Sequence, residues 1–188
     1  MKQCNNEIDA PNPLSPYALS KLTGEWYCRI FWELYGLPTV CLRYFNVYGQ
    51  WQNPESKYSA VIPIFVKQLI NSQSPTIYGN GEQSRDFVYI DDVVQSNILA
   101  IKAAKIANGQ TFNIGSGEKP TSVNDLFKKL QIILNKSAFK PKYAPPQTGD
   151  VFKTEADISL AKKILGYKPQ IKIKDGLRKY AEWRKTTS

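Results

Sequence analysis

The 188-residue sequence contains no histidine and only three cysteines, so side chains that bind metals are scarce. Histidine is the commonest metal ligand in proteins, and Cys4, Cys28 and Cys41 are widely spaced without a CxxC pair. Neither a zinc site nor another metal site is therefore expected. The three thiols are expected to be reduced and buried, as is typical of cytoplasmic proteins.

Long apolar runs are also absent. No apolar stretch of the sequence reaches the roughly 20 residues that cross a bilayer. The polar first 13 residues lack the apolar core of a signal peptide. A cytoplasmic protein without a membrane partner is therefore expected.

Negative charge is scarce only in the C-terminal third. Residues 1–118 carry 9 Lys and Arg against 10 Asp and Glu, whereas residues 119–188 carry 16 against 6. A basic surface can attract nucleic acid or an anionic ligand. Because the lysines are scattered through helical patterns, without a basic run interleaved with aromatic residues, a solvated lysine-rich face is favoured. Nucleic acid is therefore not an expected partner.

Helical and β-strand patterns alternate along the sequence. Ser15 and Pro16 are suited to begin a helix, whose apolar residues recur at helical spacing until Gly36 and Pro38 end it. Buried strands are predicted for TVCLRYFNVYG and QTFNIGSG. Two short strands are predicted around the Gly-Asn-Gly turn of PTIYGNGEQSRDFVYI.

Further helices are predicted for AVIPIFVKQLINS, for VVQSNILAIKAAKIA with Asp91 or Asp92 as its cap, for TSVNDLFKKLQIILN with Ser122 or Thr121 as its cap, and for ADISLAKKILGY and IKDGLRKYAEWRK. This alternation of strands and helices indicates the α/β class. The strands are too few for a complete doubly wound sheet. Because no flexible linker interrupts the chain, residues 1–188 are expected to form a single unit.

The stretch SPYALSK places Tyr17 and Lys21 four residues apart, on one face of the first predicted helix. Free tyrosine is too weak an acid to act as a base at neutral pH, but a nearby lysine favours its phenolate. Such a tyrosine can exchange a proton with a sugar hydroxyl while a hydride moves to a nicotinamide. Taken alone, a YxxxK spacing is a weak signal, and an exposed first turn of a helix is the simpler interpretation.

Eight motifs reverse that balance, and they occur in the order PLSPYALSKLTGE, LRYFNVYG, AVIPIF, PTIYGNGEQSRDFVYIDDV, FNIGSG, TSVNDL, YAPP-x-x-GDV and ADISLAKKILGY. The series resembles the C-terminal half of the NAD-dependent epimerase/dehydratase family, extended short-chain dehydrogenases that act on sugar nucleotides. The likeness is strongest to UDP-glucose and UDP-N-acetylglucosamine 4-epimerases, and it covers nearly all of the chain from Pro11 onwards. It implies a partial Rossmann-type fold, with the last strands of the sheet and the substrate-binding subdomain, but without the N-terminal dinucleotide-binding half.

The resemblance implies roles for four residues around the cofactor, which would be NAD in the complete enzyme. Tyr17 would be the catalytic acid and base. Lys21 would bind the nicotinamide ribose and assist Tyr17. Tyr44 and Phe45 match the stretch after the sixth strand of the family, so that Phe45 would lie beside the nicotinamide. On the residues alone, both aromatic side chains are better explained as part of the core.

The resemblance also implies a site for a UDP-sugar substrate. Asn46 and Arg85 would contact the diphosphate, which suits the forked guanidinium of an arginine. The remaining substrate residues would surround the nucleoside, and these are Val61, Ile62 and Tyr78 at the base and Asp150 at the ribose. On the residues alone, Asn46 is better explained as a turn residue, and Arg85 with Asp86 is better explained as a surface ion pair.

Several features of the family pattern are not in this sequence. The glycine-rich turn that binds NAD, with its acidic partner about 20 residues on, is absent. The Ser or Thr that stands some two dozen residues before the catalytic tyrosine cannot be present, because only 16 residues precede Tyr17. Gln147 occupies the position of an arginine that would hold the diphosphate, and Gln50-Trp51 replaces a Pro-Arg pair. An expression fragment, a shortened gene product and one part of a split enzyme all remain open.

The function implied for the complete protein is 4-epimerisation of a UDP-hexose, with the isolated chain expected to be inactive. An NDP-sugar 4,6-dehydratase of the same family and a non-catalytic nucleotide-sugar binding or assembly remnant are the alternatives. An N-terminal half is one expected partner. The helix over residues 17–36 is expected to make the isolated chain a homodimer or an aggregate, because its apolar side chains would form an exposed patch, namely Trp26, Tyr27, Phe31, Trp32 and Leu34.

Overall fold

The computed structural model describes residues 4–53, 55, 60–147 and 151–187. The helices are α1 (Pro16–Tyr35), α2 (Val61–Ile70), α3 (Ile90–Lys102), α4 (Ala104–Ala107), α5 (Val123–Leu134), α6 (Ser159–Leu165) and α7 (Ile173–Thr186). The strands are β1 (Val40–Tyr44), β2 (Asn46–Tyr48), β3 (Thr76–Tyr78), β4 (Ser84–Arg85), β5 (Phe87–Tyr89), β6 (Gln110–Ile114), β7 (Thr121–Ser122) and β8 (Lys142–Ala144). In the described part of the chain, no helix is long and apolar enough to span a membrane.

The central strands are parallel and change partners at one residue. β1 pairs with β6 from Val40 opposite Gln110 onwards, and β2 pairs with β5. Phe45 lies between β1 and β2, and its N–H donates to the carbonyl of Ile114 at 3.0 Å. The run that the sequence predicts as one strand is therefore two strands, which separate where β6 ends and β5 takes over as partner.

The first helix begins and ends as its sequence predicts. The Ser15 hydroxyl accepts a hydrogen bond from the Ala18 N–H at 3.1 Å, and this bond satisfies one of the unpaired N–H groups of the first turn. Gly36 ends α1 with φ of 65°, a left-handed conformation that glycine adopts without strain. No residue of α1 is fully buried, so the helix lies on the surface of the described structure.

The core consists of two clusters on either side of the central strands. One cluster joins α2, α5 and α7, and its fully buried side chains include Tyr48, Phe65, Tyr180, Ile62, Leu126 and Leu130. The other cluster joins β5, β6 and α6, and includes Val88, Phe112, Ile114, Ala161 and Tyr167. Each helix that faces a cluster thus buries its apolar stripe, in contrast to α1.

The prediction of two strands around the Gly-Asn-Gly turn is wrong. The stretch forms three strands that pair elsewhere: β3 with β8 in parallel, β4 with β7 in antiparallel and β5 with β2 in parallel. Gly81 packs against the side chain of Asn124, and the Asn124 N–H donates to the Gly81 carbonyl at 3.0 Å. The turn therefore docks on the start of α5 rather than closing a hairpin.

The prediction that Asp91 or Asp92 caps the following helix is also wrong. α3 begins at Ile90, and Tyr89 at its N-cap makes no side-chain capping bond. The Asp92 carboxylate is buried and accepts hydrogen bonds from the N–H groups of Gln170 at 2.7 Å and Ile171 at 3.1 Å. Asp92 therefore fixes the segment that leads into α7.

The cysteines differ from expectation in their burial. Cys4, Cys28 and Cys41 form no disulfide and are half-buried rather than buried. Burial, together with the neighbouring Cys28, raises the pKa of the Cys41 thiol to about 12.

Candidate active site

Tyr17 and Lys21 lie on the first two turns of α1, where Ser15 and Pro16 begin the helix. The Lys21 Nζ lies 5.2 Å from the centroid of the Tyr17 ring. Tyr17 is 69% exposed, so its hydroxyl is accessible to a ligand. Both residues line a cavity of about 480 Å³, here called the tyrosine cavity, together with Phe45 and Thr154.

An ion pair connects α1 and β1 at the wall of the tyrosine cavity. The Arg43 guanidinium donates to both oxygens of the Glu25 carboxylate, at 2.8 and 2.7 Å, and both side chains are largely buried. The bonds to Glu25 raise the pKa of Arg43. Since Tyr17, Lys21 and Glu25 are spaced four residues apart, they lie on one face of α1. The pair therefore fixes the helical face that carries the tyrosine.

The first described residues form the opposite wall of the tyrosine cavity. The buried Asn113 side chain donates to the carbonyls of Asn5 at 3.0 Å and Asp157 at 3.2 Å. The Asn113 N–H donates to the Glu7 carboxylate at 2.7 Å. Residues 5–7 are thus bound to β6 through Asn113 and Glu7. The sequence analysis did not identify either of these two residues.

The two aromatic residues at the end of β1 lie in different places. Phe45 lines the tyrosine cavity. The Tyr44 hydroxyl instead donates to Asn97 of α3 at 2.9 Å. Successive side chains of a strand point to opposite faces, so the structure brings Phe45, but not Tyr44, to Tyr17.

Asn46 lies in a hydrogen-bond network with the two residues Asp86 and Thr154. Its side-chain oxygen accepts a bond from the Thr154 hydroxyl at 3.1 Å. Asp86 is buried, and its carboxylate accepts bonds from the N–H groups of Ser116 at 2.8 Å and Ala156 at 3.1 Å. Burial raises the pKa of Asp86, although these bonds favour the carboxylate. The network joins β2, the residue between β4 and β5, and the segment before α6.

A second cavity, of about 830 Å³ and here called the Tyr78 cavity, lies beyond β3 and β8. Its wall includes Tyr78, Gln147 and Phe152. Arg85 is half-buried next to this wall, and its guanidinium donates to the carbonyls of Ser84 at 2.8 Å and Phe152 at 3.3 Å. The cavity therefore combines an aromatic surface with a nearby cation.

One segment, residues 151–156, passes from the Tyr78 cavity to the tyrosine cavity. Phe152 lines the first cavity and Thr154 lines the second. Ser84 N–H donates to the Phe152 carbonyl at 2.9 Å, and Thr154 N–H donates to the Ser84 carbonyl at 3.1 Å. Sequence analysis missed Thr154, because a single threonine outside a periodic pattern carries no signal.

The other predicted substrate residues do not line either cavity or lie outside the described residues. Val61 is half-buried at the start of α2, and Ile62 lies in the core, so neither lines the two cavities. Asp150 lies outside the described residues. Lys153, six residues after Gln147, pairs with Glu155 at 2.7 Å.

The parallel strands and the helices that cover them form a Rossmann-type α/β architecture. The tyrosine–lysine pair lies at the start of one of its helices. Residues 2–115 match the profile of the NAD dependent epimerase/dehydratase family, and the chain belongs to this family. The α/β class and the likeness to the C-terminal part of the family are thereby confirmed. The chain spans about half the length of the curated relatives that it matches.

Individual relatives agree with this assignment. A putative UDP-glucose 4-epimerase of Methanocaldococcus jannaschii is 41% identical over 94% of this chain and 55% of the relative. The solved UDP-glucose 4-epimerase of Thermotoga maritima with UDP-glucose has a TM-score of 0.91 at 39% identity, over 96% of this chain and 57% of that chain. The UDP-glucuronic acid 4-epimerase of Bacillus cereus with UDP-glucuronic acid and NAD has a TM-score of 0.91 at 34% identity, over 100% and 58%.

Proposed function

We propose that the complete protein is an NAD-dependent UDP-hexose 4-epimerase, and that this chain supplies the acid–base tyrosine and the substrate site. The observation that carries the proposal is the arrangement of the two cavities along residues 151–156. One cavity holds Tyr17, Lys21 and Phe45, and the other holds Tyr78. A sugar in the first cavity and a nucleoside in the second would leave the diphosphate between them.

Tyr17 would exchange the proton of the C4 hydroxyl of the sugar. Its hydroxyl is exposed to the cavity, and Lys21 lies one helical turn away. The positive charge of Lys21 would favour the phenolate form of Tyr17, which accepts this proton and returns it when the hydride is returned. The ion pair between Glu25 and Arg43 maintains this face of α1 against β1.

The residues of the tyrosine cavity fit the nicotinamide end of NAD. Phe45 offers an aromatic surface for the nicotinamide, and Lys21 offers an ammonium group for its ribose, on the same cavity. When bound, NAD would supply the hydride acceptor for oxidation of the sugar and the hydride donor for its reduction on the other face. The glycine-rich turn that would hold the NAD pyrophosphate is not among these 188 residues.

The substrate nucleotide would occupy the Tyr78 cavity. The Tyr78 ring is 44% exposed and can stack on a uracil base. Asn46 and Arg85 lie near the segment that joins the cavities, where they can donate hydrogen bonds to diphosphate oxygens. Gln147 offers an uncharged amide at the wall of this cavity. The family pattern has an arginine at the corresponding position.

The test is a complementation assay. The chain is mixed with the N-terminal half of the Thermotoga maritima relative and incubated with NAD and UDP-glucose, and the C4 epimers are resolved by chromatography. Epimerisation is expected only in the mixture, and Tyr17→Phe should reduce it by roughly 100-fold or more. The chain alone should be inactive, since loss of cofactor positioning removes about 7–11 kcal/mol of catalysis.

Three outcomes would contradict the proposal. Turnover that survives Tyr17→Phe would remove the tyrosine from the chemistry. A 4-keto-6-deoxy product would favour the dehydratase alternative, and the Streptomyces venezuelae dTDP-glucose 4,6-dehydratase resembles this chain with a TM-score of 0.88 at 27% identity. UDP binding without turnover in any mixture would favour the non-catalytic alternative.

A further inference from the structure

Three residues close a ring of hydrogen bonds between the two cavities. The Asn46 N–H donates to the Asp86 carbonyl at 3.0 Å. The Asp86 N–H donates to the Thr154 hydroxyl oxygen at 3.4 Å. The Thr154 hydroxyl then donates to the side-chain oxygen of Asn46 at 3.1 Å. Within this ring, the hydroxyl of Thr154 connects the side-chain amide of Asn46 to the backbone N–H of Asp86.

Thr154 is itself held on both sides. Its N–H donates to the Ser84 carbonyl at 3.1 Å. Two residues further on, the Ala156 N–H donates to the buried Asp86 carboxylate at 3.1 Å. A β-branched side chain such as threonine also has few χ1 rotamers. The position and direction of the hydroxyl are therefore set by the segment and not by a mobile side chain.

The bond from Thr154 determines which end of the Asn46 amide is available. A hydroxyl that donates to Oδ1 of Asn46 leaves the Nδ2 hydrogens for another acceptor. Within the described ranges, Nδ2 of Asn46 has no such acceptor. An amide N–H₂ is a suitable donor to a phosphate oxygen, whereas the amide oxygen would repel it.

We propose that Thr154 is a positioning residue for the substrate diphosphate, because it holds the Asn46 amide with its N–H₂ directed to that ligand. The inference rests on the proposed function, which places the diphosphate at Asn46. Thr154 lines the tyrosine cavity, and Phe152, two residues earlier, lines the Tyr78 cavity. The hydroxyl therefore lies along the path that a UDP-sugar would take between the cavities.

The experiment compares UDP with uridine, which lacks the diphosphate, by calorimetric titration of the full chain. Thr154→Val removes the hydroxyl at nearly constant shape, and it should raise the dissociation constant for UDP by about 3- to 10-fold. The affinity for uridine should not change. Thr154→Ser keeps the hydroxyl and should stay within about twofold of the wild type for both ligands.

Two further variants make the comparison specific. Thr39→Val is the matched control, because the Thr39 hydroxyl also donates to one acceptor, the Cys28 carbonyl at 2.8 Å, but away from both cavities. It should leave the UDP affinity unchanged. Asn46→Asp keeps the acceptor for Thr154 but replaces the N–H₂ with an anionic oxygen, so it should weaken UDP binding and spare uridine.

The inference is overturned if Thr154→Val binds UDP like the wild type, if it weakens UDP and uridine equally, or if Thr154→Ser is as weak as Thr154→Val. If Thr154→Val fails to fold, Thr154→Ala takes its place, because it also lacks the hydroxyl and should likewise weaken UDP and spare uridine. A wild-type chain that binds uridine as tightly as UDP would instead refute the diphosphate site of the proposed function. These outcomes are distinct, because only the last one concerns the wild type.

Discussion

Removing the Arg43 side chain should destabilise the protein far more than removing another arginine from the same region. Arg43 forms a forked pair with Glu25, and the exposed fractions of the two side chains are 29% and 22%. Arg29 forms a single bond with Glu33 at 2.7 Å, where the exposed fractions are 59% and 51%. The two pairs have the same chemistry and differ in burial and geometry.

The magnitudes follow from this difference. Arg43→Ala removes two charge-assisted bonds and leaves a largely buried carboxylate without its partner, which costs about 2–3 kcal/mol. Arg29→Ala breaks an exposed pair one helical turn apart, which is worth about 0.3–0.5 kcal/mol. Arg43→Lys retains the charge but not the fork, so it should fall between the two.

Urea unfolding followed by tryptophan fluorescence measures these differences. For a chain of this size, about 2 kcal/mol also corresponds to a decrease in Tm of roughly 4–8 °C. Raising the salt concentration should shrink the effect of Arg29→Ala more than that of Arg43→Ala, because exposed pairs are screened more strongly. Equal losses for the two alanine variants would refute the argument that burial and the fork hold α1 against β1.

Three other outcomes are expected. The isolated chain should dimerise or aggregate at micromolar concentration, and the double substitution Trp26→Lys and Phe31→Glu should weaken this association. A wild-type monomer by light scattering would contradict the prediction. Gln147→Arg should tighten UDP binding about 10- to 100-fold by calorimetry, whereas Arg85→Ala should weaken it; no change in either variant would remove the diphosphate assignment. Because the pKa of Asp86 is raised in the folded protein, its contribution to stability is present below its ordinary value of 3.8 and is lost as the pH rises through the folded value. The unfolding free energy of the wild type relative to Asp86→Asn should therefore decrease with rising pH, and an increase would refute the sign.

Elements with local signals could be predicted from the sequence. Ser15, Pro16 and Gly36 fix the ends of α1 through groups within one turn of each end, and Ser122 caps α5 by a bond to the Asp125 N–H at 3.1 Å. The strand pairings could not be predicted, since they depend on distant residues. β3 finds its partner in β8, beyond both the Gly-Asn-Gly turn and the whole of α5.

The candidate site divides in the same way. The structure brings Tyr17, Lys21 and Phe45 to one cavity, and the first two are one helical turn apart in the sequence. Tyr44 goes to α3, although alternation along a strand already implies that Tyr44 and Phe45 cannot share a face. Thr154 could not be predicted, because its partners Asn46 and Asp86 are brought to it by contacts distant in sequence.

The exposure of α1 connects the stability of the chain with its chemistry. Trp26, Tyr27 and Leu34 are 52%, 61% and 69% exposed, and no side chain of the helix is fully buried. Trp32 differs from its neighbours, because it is half-buried against Gly109. A helix with so little buried apolar area gains little from the hydrophobic effect, so polar contacts with β1 and its preceding residues carry more of its attachment.

Among those contacts, the pair between Arg43 and Glu25 fixes the face of α1 that carries Tyr17. The bond from the Thr39 hydroxyl to the Cys28 carbonyl, at 2.8 Å, lies away from both cavities. A covering partner on the apolar face of α1 would bury several aromatic side chains and add hydrophobic stabilisation to this weak attachment. Tyr17 and Lys21 would then be held more firmly beside Phe45, since all three line one cavity across the boundary between α1 and β1. Association at α1 and order at Tyr17 and Lys21 are therefore expected to increase together, and a substitution that prevents association far from Tyr17 should still loosen this pair.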